Sequence, residues 1–341
     1  MRTFLLTTLL VAGVALLAWY PSQAQAQVSG ACYLCHTMHN SQDGGIPTGG
    51  QATPQAHLTL NTCIGCHSSG GVAGAPKVDG AYGVANGTTA GGTFADSGTA
   101  GQYCADDTCV HNVNLTGVLP VLGTDDTFSG GTVPGSGGAG MNGGAGSTDP
   151  ANLVCAGSNG CHGDTSIAGN DAGIQGFHHH AKTGWRYLQI AGTATPVEGV
   201  GASDWELALS DGYTAGEEHN VYSSSTTAGI SKLCANCHPN FYGTANTQDG
   251  GGNWIKHPTD ADLPAGWTPT VDYVNNPFAF ADLTGKTADG TYDATNAQVS
   301  CLSCHRAHGT PYSDILRWDY DTQTAGGGAT YGCLGCHNNQ R

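Results

Sequence analysis

The sequence predicts a chain that is mostly irregular coil, with few short helices and minimal strand, wrapped around a stacked core of bound groups. Glycine accounts for 54 of the 341 residues, against a usual share of about 7%. Charged residues make up 11% of the chain and hydrophobic residues 39%. A glycine-rich chain loses much backbone entropy on folding and has few large side chains to bury. It therefore needs a source of cohesion other than a conventional apolar core.

A five-residue pattern, CxxCH, indicates what that source is. It occurs at Cys32–His36, Cys63–His67, Cys234–His238, Cys301–His305 and Cys333–His337. The two thiols can each form a thioether to a porphyrin, and the next residue places an imidazole at the iron, so the pattern is typical of c-type haem attachment. A single copy is also compatible with a thioredoxin-like redox pair or with half of a zinc site. A histidine after every pair favours haem at all five places, and hence a multihaem cytochrome c.

A widened motif lies in the middle of the chain. Five residues instead of two separate Cys155 from Cys161, and His162 follows directly. The spacer contains Gly-Ser-Asn-Gly, which is flexible enough to bring both thiols to one haem. The alternative is a disulfide with an unrelated histidine. We expect six haems c in all, or five if this site holds none.

The predicted haem-binding residues of these six motifs form two groups. The thioether cysteines are Cys32, Cys35, Cys63, Cys66, Cys155, Cys161, Cys234, Cys237, Cys301, Cys304, Cys333 and Cys336. The iron ligands within the motifs are His36, His67, His162, His238, His305 and His337.

The remaining two cysteines, Cys104 and Cys109, differ from the motifs. The next histidine, His111, comes one residue late because Val110 intervenes. Its imidazole would be displaced from an iron held by these thiols. In an oxidising compartment, we expect a small disulfide loop instead.

The first 26 residues are typical of a signal peptide. Arg2 precedes an apolar run from Phe4 to Trp19, and Ala24-Gln25-Ala26 is a small-x-small cleavage pattern. The alternative is an uncleaved membrane anchor, although the run is short for a span. We expect an exported mature protein, residues 27–341, that forms one cytochrome domain with no membrane span and with glycine-rich loop insertions at about 68–101 and 123–146.

The formal net charge of −16 excludes one class of partner. Nucleic acid binding depends on clustered lysine and arginine, so an acidic chain is poorly suited to it. The acidity is expected to serve solubility, with bridging by cations or attraction of cationic partners as the alternative.

The histidine count predicts the chemistry of the irons. The histidines outside the motifs are His39, His57, His111, His178, His179, His180, His219, His257 and His308. All of them except His57, whose role stays open, are candidate second axial ligands, while methionine is too scarce for that purpose. Iron with two histidine ligands is coordinatively saturated, so it transfers electrons and does not readily bind a substrate.

Two pairs of histidines have a spacing with a geometric consequence. His36 and His39 are three residues apart, as are His305 and His308. On a helical turn such residues share one face, with about 5–6 Å between Cβ atoms. Axial ligands lie on opposite faces of a porphyrin, so each pair is expected to serve two different haems and to bring them together in a row.

Several segments resemble a known family beyond the CxxCH pattern itself. They are CYLCHTMHN at Cys32–Asn40, LCANCH at Leu233–His238 followed by KHP at Lys256–Pro258, CLSCHRAH at Cys301–His308 and the closing motif at Cys333–His337. They are similar to extracellular multihaem c-type cytochromes of metal-reducing bacteria that polymerise into conductive filaments, the OmcS/OmcE type. Residues 68–230 match less well.

The resemblance implies a continuous stack of haems with two histidine ligands each, little regular secondary structure, and a filament. It also implies that His39 binds a haem of the adjacent subunit, and that His219, His257 and His308 are second ligands within the subunit.

The expected function is electron conduction, not enzymatic catalysis. We expect an exported hexahaem filament subunit at the cell surface that passes electrons to other cytochromes or to extracellular acceptors. A soluble periplasmic electron shuttle is the alternative. A multihaem reductase is a third reading, but it needs one iron with an open position, and the chain has a histidine for every iron and no CxxCK variant.

Overall fold

The structure is a computed structural model. It describes residues 28, 30–46, 52–68, 71–73, 75–78, 91–94, 109–111, 113, 153–178, 184–201, 219–244, 255–263, 276–288, 296–327 and 331–337. Outside these ranges lie the predicted signal peptide, the glycine-rich run 123–146, Cys104, His179 and His180.

Helices are few and short, as the sequence predicts. The α-helices are α1 (Cys63–His67), α2 (Asn170–Ile174), α3 (Ile230–Cys234) and α4 (Gly332–His337). Single turns of 3₁₀-helix span Cys32–Leu34, Ala56–Leu58, Trp185–Tyr187, Pro239–Phe241, Cys301–Ser303, Ser313–Ile315 and Tyr320–Thr322. Every regular CxxCH motif begins in one of these α-helices or 3₁₀-helices. In the described part of the chain, no helix has the length and apolar character needed to cross a membrane.

Strands contain only two or three residues each. A hairpin pairs β1 (Gln189–Ile190) with β2 (Thr195–Pro196). A second sheet has the order β3 (Gly199–Val200), β4 (Val221–Ser223), β6 (Ala279–Phe280), β7 (Ala297–Val299) and β5 (Ala261–Asp262). Only the β4–β6 pairing in it is parallel. The coil-dominated fold class predicted from the sequence is confirmed.

The five-stranded sheet has apolar side chains packed on both faces. Successive residues of a strand point to opposite faces, so Val221 and Tyr222 lie in separate clusters. One cluster contains Leu188, Ile190, Val197, Tyr222, Ile230, Ala279 and Leu302. The other contains Val221, Phe278, Phe280 and Ala297. The first cluster anchors the Cys234 and Cys301 motifs, because Ile230 begins α3 and Leu302 lies inside the Cys301 motif.

The glycine-rich stretch 68–101 does not lie wholly on the surface. Its described parts are coil, as expected. However, Phe94 is buried against Val110, with Val78 and Val113 packed beside them. This insertion therefore covers a small apolar cluster of its own.

The prediction of helical turns over His36–His39 and His305–His308 is wrong. The 3₁₀-helices in these motifs end at Leu34 and Ser303. His39 has φ of 58°, which a right-handed helix does not allow. The backbone bonds instead to distant segments, as when Thr37 N donates to Leu58 O at 2.8 Å and Arg306 N donates to Ile315 O at 3.0 Å.

Candidate haem-binding sites

One backbone hydrogen bond closes the CxxCH turns. The histidine N–H donates to the carbonyl of the first cysteine at Cys32 (2.8 Å), Cys234 (3.0 Å) and Cys301 (3.0 Å). The motifs at Cys63 and Cys333 lie within α1 and α4, whose helical geometry makes the same closure. The turn holds the two thiols and the imidazole on one short loop, as a covalently attached haem requires.

The widened motif closes in the same way. His162 N donates to Cys155 O at 3.0 Å, although three more residues separate them than in a regular motif. Gly157 takes up the excess with φ of 86°. A Cβ at Gly160 would lie 2.5 Å from Ala156 N, so the spacer folds tightly over itself. The backbone around Cys155, Cys161 and His162 thus fits the attachment chemistry of the regular motifs.

Many of the imidazole rings are oriented by the same kind of hydrogen bond, from Nδ1 to a backbone carbonyl. Nδ1 donates to a main-chain oxygen in seven histidines: His36 to His57, His67 to Pro76, His111 to Ala307, His162 to Arg186, His219 to Asn220, His257 to Pro258 and His305 to Asp314, at 2.6–3.2 Å. A proton on Nδ1 leaves the lone pair on Nε2, which is then available to bind a metal. The set includes motif histidines and candidate second ligands alike.

Four pairs of histidine rings face each other at nearly the same separation. Their centroids are 6.4 Å apart for His67–His178, 6.3 Å for His111–His238, 6.2 Å for His162–His308 and 6.2 Å for His257–His337. Every pair joins one motif histidine to one histidine outside the motifs. Two imidazoles that bind one metal ion from opposite sides have centroids about 6 Å apart, since each metal–nitrogen bond is about 2 Å long. The four pairs therefore fit the axial positions of a haem iron.

Other candidate ligands lie in different surroundings. His219 is 5% exposed, whereas His39 is exposed near the start of the described chain. His57 is also exposed, and it lines a cavity of about 400 Å³ together with Cys63 and Asp171.

The thiols of successive motifs are neighbours. Side-chain hydrogen bonds join Cys63 to Cys155 and Cys234 to Cys301, and electrostatic interactions over a longer range relate Cys35 to Cys66, Cys161 to Cys237, and Cys304 to Cys336. Each interaction connects one motif to the next along the chain. Groups attached at these thiols would form a row in sequence order.

The ring environments favour neutral imidazole. Desolvation lowers the pKa of His308 to about 3, with smaller contributions from His162 and His111. Desolvation, followed by His238, lowers the pKa of His111 to about 4. The pKa values of His67, His162 and His305 are lowered for the same primary reason. Neutral imidazole is the form that binds metals.

Cys109 is disulfide-bonded and fully buried. This confirms that Cys109 is not a thioether cysteine. Cys104, its predicted partner, lies outside the described residues. Cys109 is thus oxidised, as the sequence predicts.

Comparison with known proteins agrees with the motif pattern. Residues 294–341 match the family described as "Doubled CXXCH motif". The C-type cytochrome OmcS of Geobacter sulfurreducens is 25% identical over an alignment of 410 positions, gaps included, which covers 97% of this chain and 90% of OmcS. The chain is similar to an OmcS-type cytochrome. Together, the CxxCH motifs and this similarity support haem c as the cofactor.

Two solved OmcS structures from Geobacter sulfurreducens also match the chain. The first, described as cryo-EM of the OmcS nanowires, is 20% identical with a TM-score of 0.47, and the match covers 88% of this chain and 86% of that one. The second, the Outer Membrane Cytochrome S filament, is 20% identical with a TM-score of 0.46, and the match covers 87% and 85%.

The sequence contains no signal for the groups that orient the rings. The accepting carbonyls belong to residues such as Pro76 and Ala307, and a carbonyl leaves no trace in the residue type. The stacking of Phe94 on His308, with centroids 4.8 Å apart and a tilt of 27°, also has no local signature. The pairing of rings has none either, because the partners come from distant segments.

A buried carboxylate, Asp260, lies in the sequence between the Cys234 and Cys301 motifs. It is 8% exposed and has φ of 55°. Burial raises its pKa to about 6, and the nearby hydroxyl groups of Ser231 and Tyr242 offset part of the increase. Its charge also acts on the thiol of Cys301.

We predict that Asp260 makes stability depend on pH. Its folded-state pKa lies above the unfolded value of about 3.9, so the folded state holds the proton more tightly between about pH 4 and pH 6. The free energy of unfolding should fall as the pH rises through this range. Asp260→Asn removes the titration and tolerates the positive φ. Guanidinium midpoints at pH 4 to 7 should show the variant gaining stability over the parent as the pH rises.

Asp282→Asn is the matched control. Hydrogen bonds from Thr284 lower the pKa of Asp282, so its substitution should give the opposite and weaker trend. Parallel midpoint curves for the parent protein and Asp260→Asn would contradict the assignment.

Proposed function

We propose that this chain is an exported hexahaem c-type cytochrome that conducts electrons through irons with two histidine ligands each. The four facing ring pairs carry the proposal, because each holds two imidazoles at the separation that an iron needs between them. In each pair, a motif histidine supplies one ligand, and a histidine from elsewhere in the chain supplies the other. Haem supplies the redox change, and the chain holds its ligands.

From these pairs we infer second ligands for four of the six proposed irons. His178 serves the Cys63 motif, His308 the widened motif, His111 the Cys234 motif and His257 the Cys333 motif. The irons at the Cys32 and Cys301 motifs remain. We assign one of them to His219, whose Nδ1 donates to the next residue's carbonyl as that of His257 does. The other takes His39 of a neighbouring copy.

The order of the thiols supports conduction over catalysis. Interactions between successive motifs run from the first to the sixth without a gap. Haems attached in this order would form one row, which would suit electron transfer from each haem to the next. A reductase requires an iron with an open position, whereas each ring pair would supply both axial ligands of its iron.

The segment of the chain around His39 is suited to self-assembly. The described residues from Val28 to Leu58 expose the large apolar side chains Val28, Tyr33, Leu34, Met38, Ile46 and Leu58. Exposed apolar groups that cluster in one region mark interaction sites. OmcS, matched over 97% of this chain, is described as forming nanowires. We propose an extracellular filament in which this region contacts the next copy; the soluble shuttle would have the same haems without the polymer.

Carbon monoxide binding tests the proposed function. The reduced native protein should bind almost none, because every iron has two protein ligands. His257→Ala should bind about one molecule per chain, because the iron at His337 loses its second ligand. Ile255→Ala changes a 73% exposed side chain two residues away and should behave as the parent protein does. Appreciable binding by the parent protein, measured by optical titration, would rule out a conduit whose irons are all saturated.

The sixth haem is tested by the intact mass of the secreted protein. The parent chain should carry six haems, and Cys161→Ala together with Cys155→Ala should carry five. Replacement of Cys109, which is disulfide-bonded, by alanine should leave six covalent haems. A parent mass that corresponds to five haems would show that the widened motif holds none.

His39→Ala should weaken assembly, since one iron per subunit loses the ligand donated by its neighbour. Filaments should become rare in electron micrographs, and about one iron per chain should become high-spin. His39→Met offers a thioether that can still bind iron, so it should restore most of the low-spin spectrum. Normal filaments with an unchanged spectrum in His39→Ala would refute the intersubunit role.

A further inference from the structure

Three separate segments of the chain meet around two of the proposed second ligands. They are Gly91–Phe94, Cys109–His111 and Ala307–Thr310, and together we call them the histidine clamp. The first and second lie between the Cys63 motif and the widened motif in the sequence. The third follows directly from the Cys301 motif.

Backbone hydrogen bonds join the clamp in both directions. His308 N donates to Gly91 O at 2.6 Å, and Thr93 N donates to Gly309 O at 3.0 Å. On the other side, His111 N donates to His308 O at 3.0 Å, and Thr310 N donates to Cys109 O at 2.9 Å. The 307–310 segment therefore pairs with the 91–94 segment on one side and with the 109–111 segment on the other. We call this meeting of three backbones the crossing.

The side chains of the clamp are tightly packed. Thr93, Cys109 and Thr310 are fully buried. A Cβ added at Gly309 would lie 2.5 Å from Thr93 O and 2.5 Å from Val110 Cγ1, so the three segments approach one another as closely as glycine permits. The second segment also contains the disulfide-bonded Cys109.

Both rings are oriented from within the clamp. The ring of Phe94 stacks on that of His308 at 4.8 Å. The Nδ1 atom of His111 donates to Ala307 O at 2.6 Å. Each ring then faces a different motif, because His308 is opposite His162 and His111 is opposite His238. Cys161 and Cys237 show that these two motifs are neighbours.

We propose that the histidine clamp is one positioning element shared by two adjacent haem irons, so that His111 and His308 are held, or lost, as a unit. This rests on the proposed function, since it takes both histidines as iron ligands. The physical reason is that neither ring is supported by its own segment alone. His111 is oriented by a carbonyl two residues from Gly309, and His308 by a ring that packs on Val110. A disturbance at the crossing reaches both.

Gly309→Ala tests this directly. The added methyl group forces the segments apart, and the reduced variant should bind about two molecules of carbon monoxide per chain where the parent binds almost none. Two irons should become high-spin and the other four should stay low-spin. Gly45→Ala is the matched control, because a Cβ at Gly45 meets nothing within 4 Å; it should match the parent protein.

Single-ligand variants calibrate the count. His111→Ala and His308→Ala should each open about one iron by removing a ring that binds it. The double variant His111→Ala with Gly309→Ala should still bind about two molecules, because the iron freed by the first change is already open in the second. A value of three would mean that Gly309→Ala opens irons other than the proposed two, and would overturn the assignment.

Other outcomes are equally decisive. Binding of one molecule or none by Gly309→Ala, in a protein that carries its six haems, would show that the ligands are positioned independently. If Gly309→Ala is not secreted with its haems, Phe94→Ala loosens the clamp without adding volume and should show the same two-iron signature. Appreciable carbon monoxide binding by the parent protein would instead refute the proposed function, so the two failures are distinguishable.

Discussion

The structure depends on one constraint, which is that pairs of imidazoles must face each other across a gap of fixed width. Four described pairs keep ring centroids 6.2–6.4 Å apart although their surroundings differ. In each pair, one ring is held by a backbone carbonyl that accepts its Nδ1–H. A carbonyl is available at every position, so irregular coil can support a ligand wherever the haem row passes.

This explains why so little regular structure is needed. Long helices or strands would consume the carbonyls that orient the rings, whereas turns and isolated bridges leave them available. The five-stranded sheet has strands of two or three residues, yet it buries Tyr222 and Ala279 beneath the turns that begin at Ile230 and Cys301. Packing of this kind fixes the positions of neighbouring motifs. The remaining cohesion is assigned to the covalent haems, in agreement with the low hydrophobic content.

What the sequence predicts correctly is local. The CxxCH turns, the short helices beside them and the oxidised state of Cys109 follow from spacing within a few residues. The helical turn expected at His305–His308 is wrong, because Arg306 and His308 bond to residues far along the chain and pull the backbone out of a helix. The facing of His308 with His162 is equally non-local. Spacing predicts that His305 and His308 serve different haems, but it does not predict which haem each one serves.

Glycine has two roles in this chain that composition alone does not separate. At Gly157 it allows a positive φ, so that a widened motif closes as a regular one does. At Gly309 it allows three backbones to cross where a single methyl group would collide with two of them. The second role is the more demanding, because a crossing transmits any displacement to every segment in it. Close backbone contact can thus fix histidine positions precisely in a chain made of coil, and in the proposed conduit neighbouring irons would share the elements that hold their ligands.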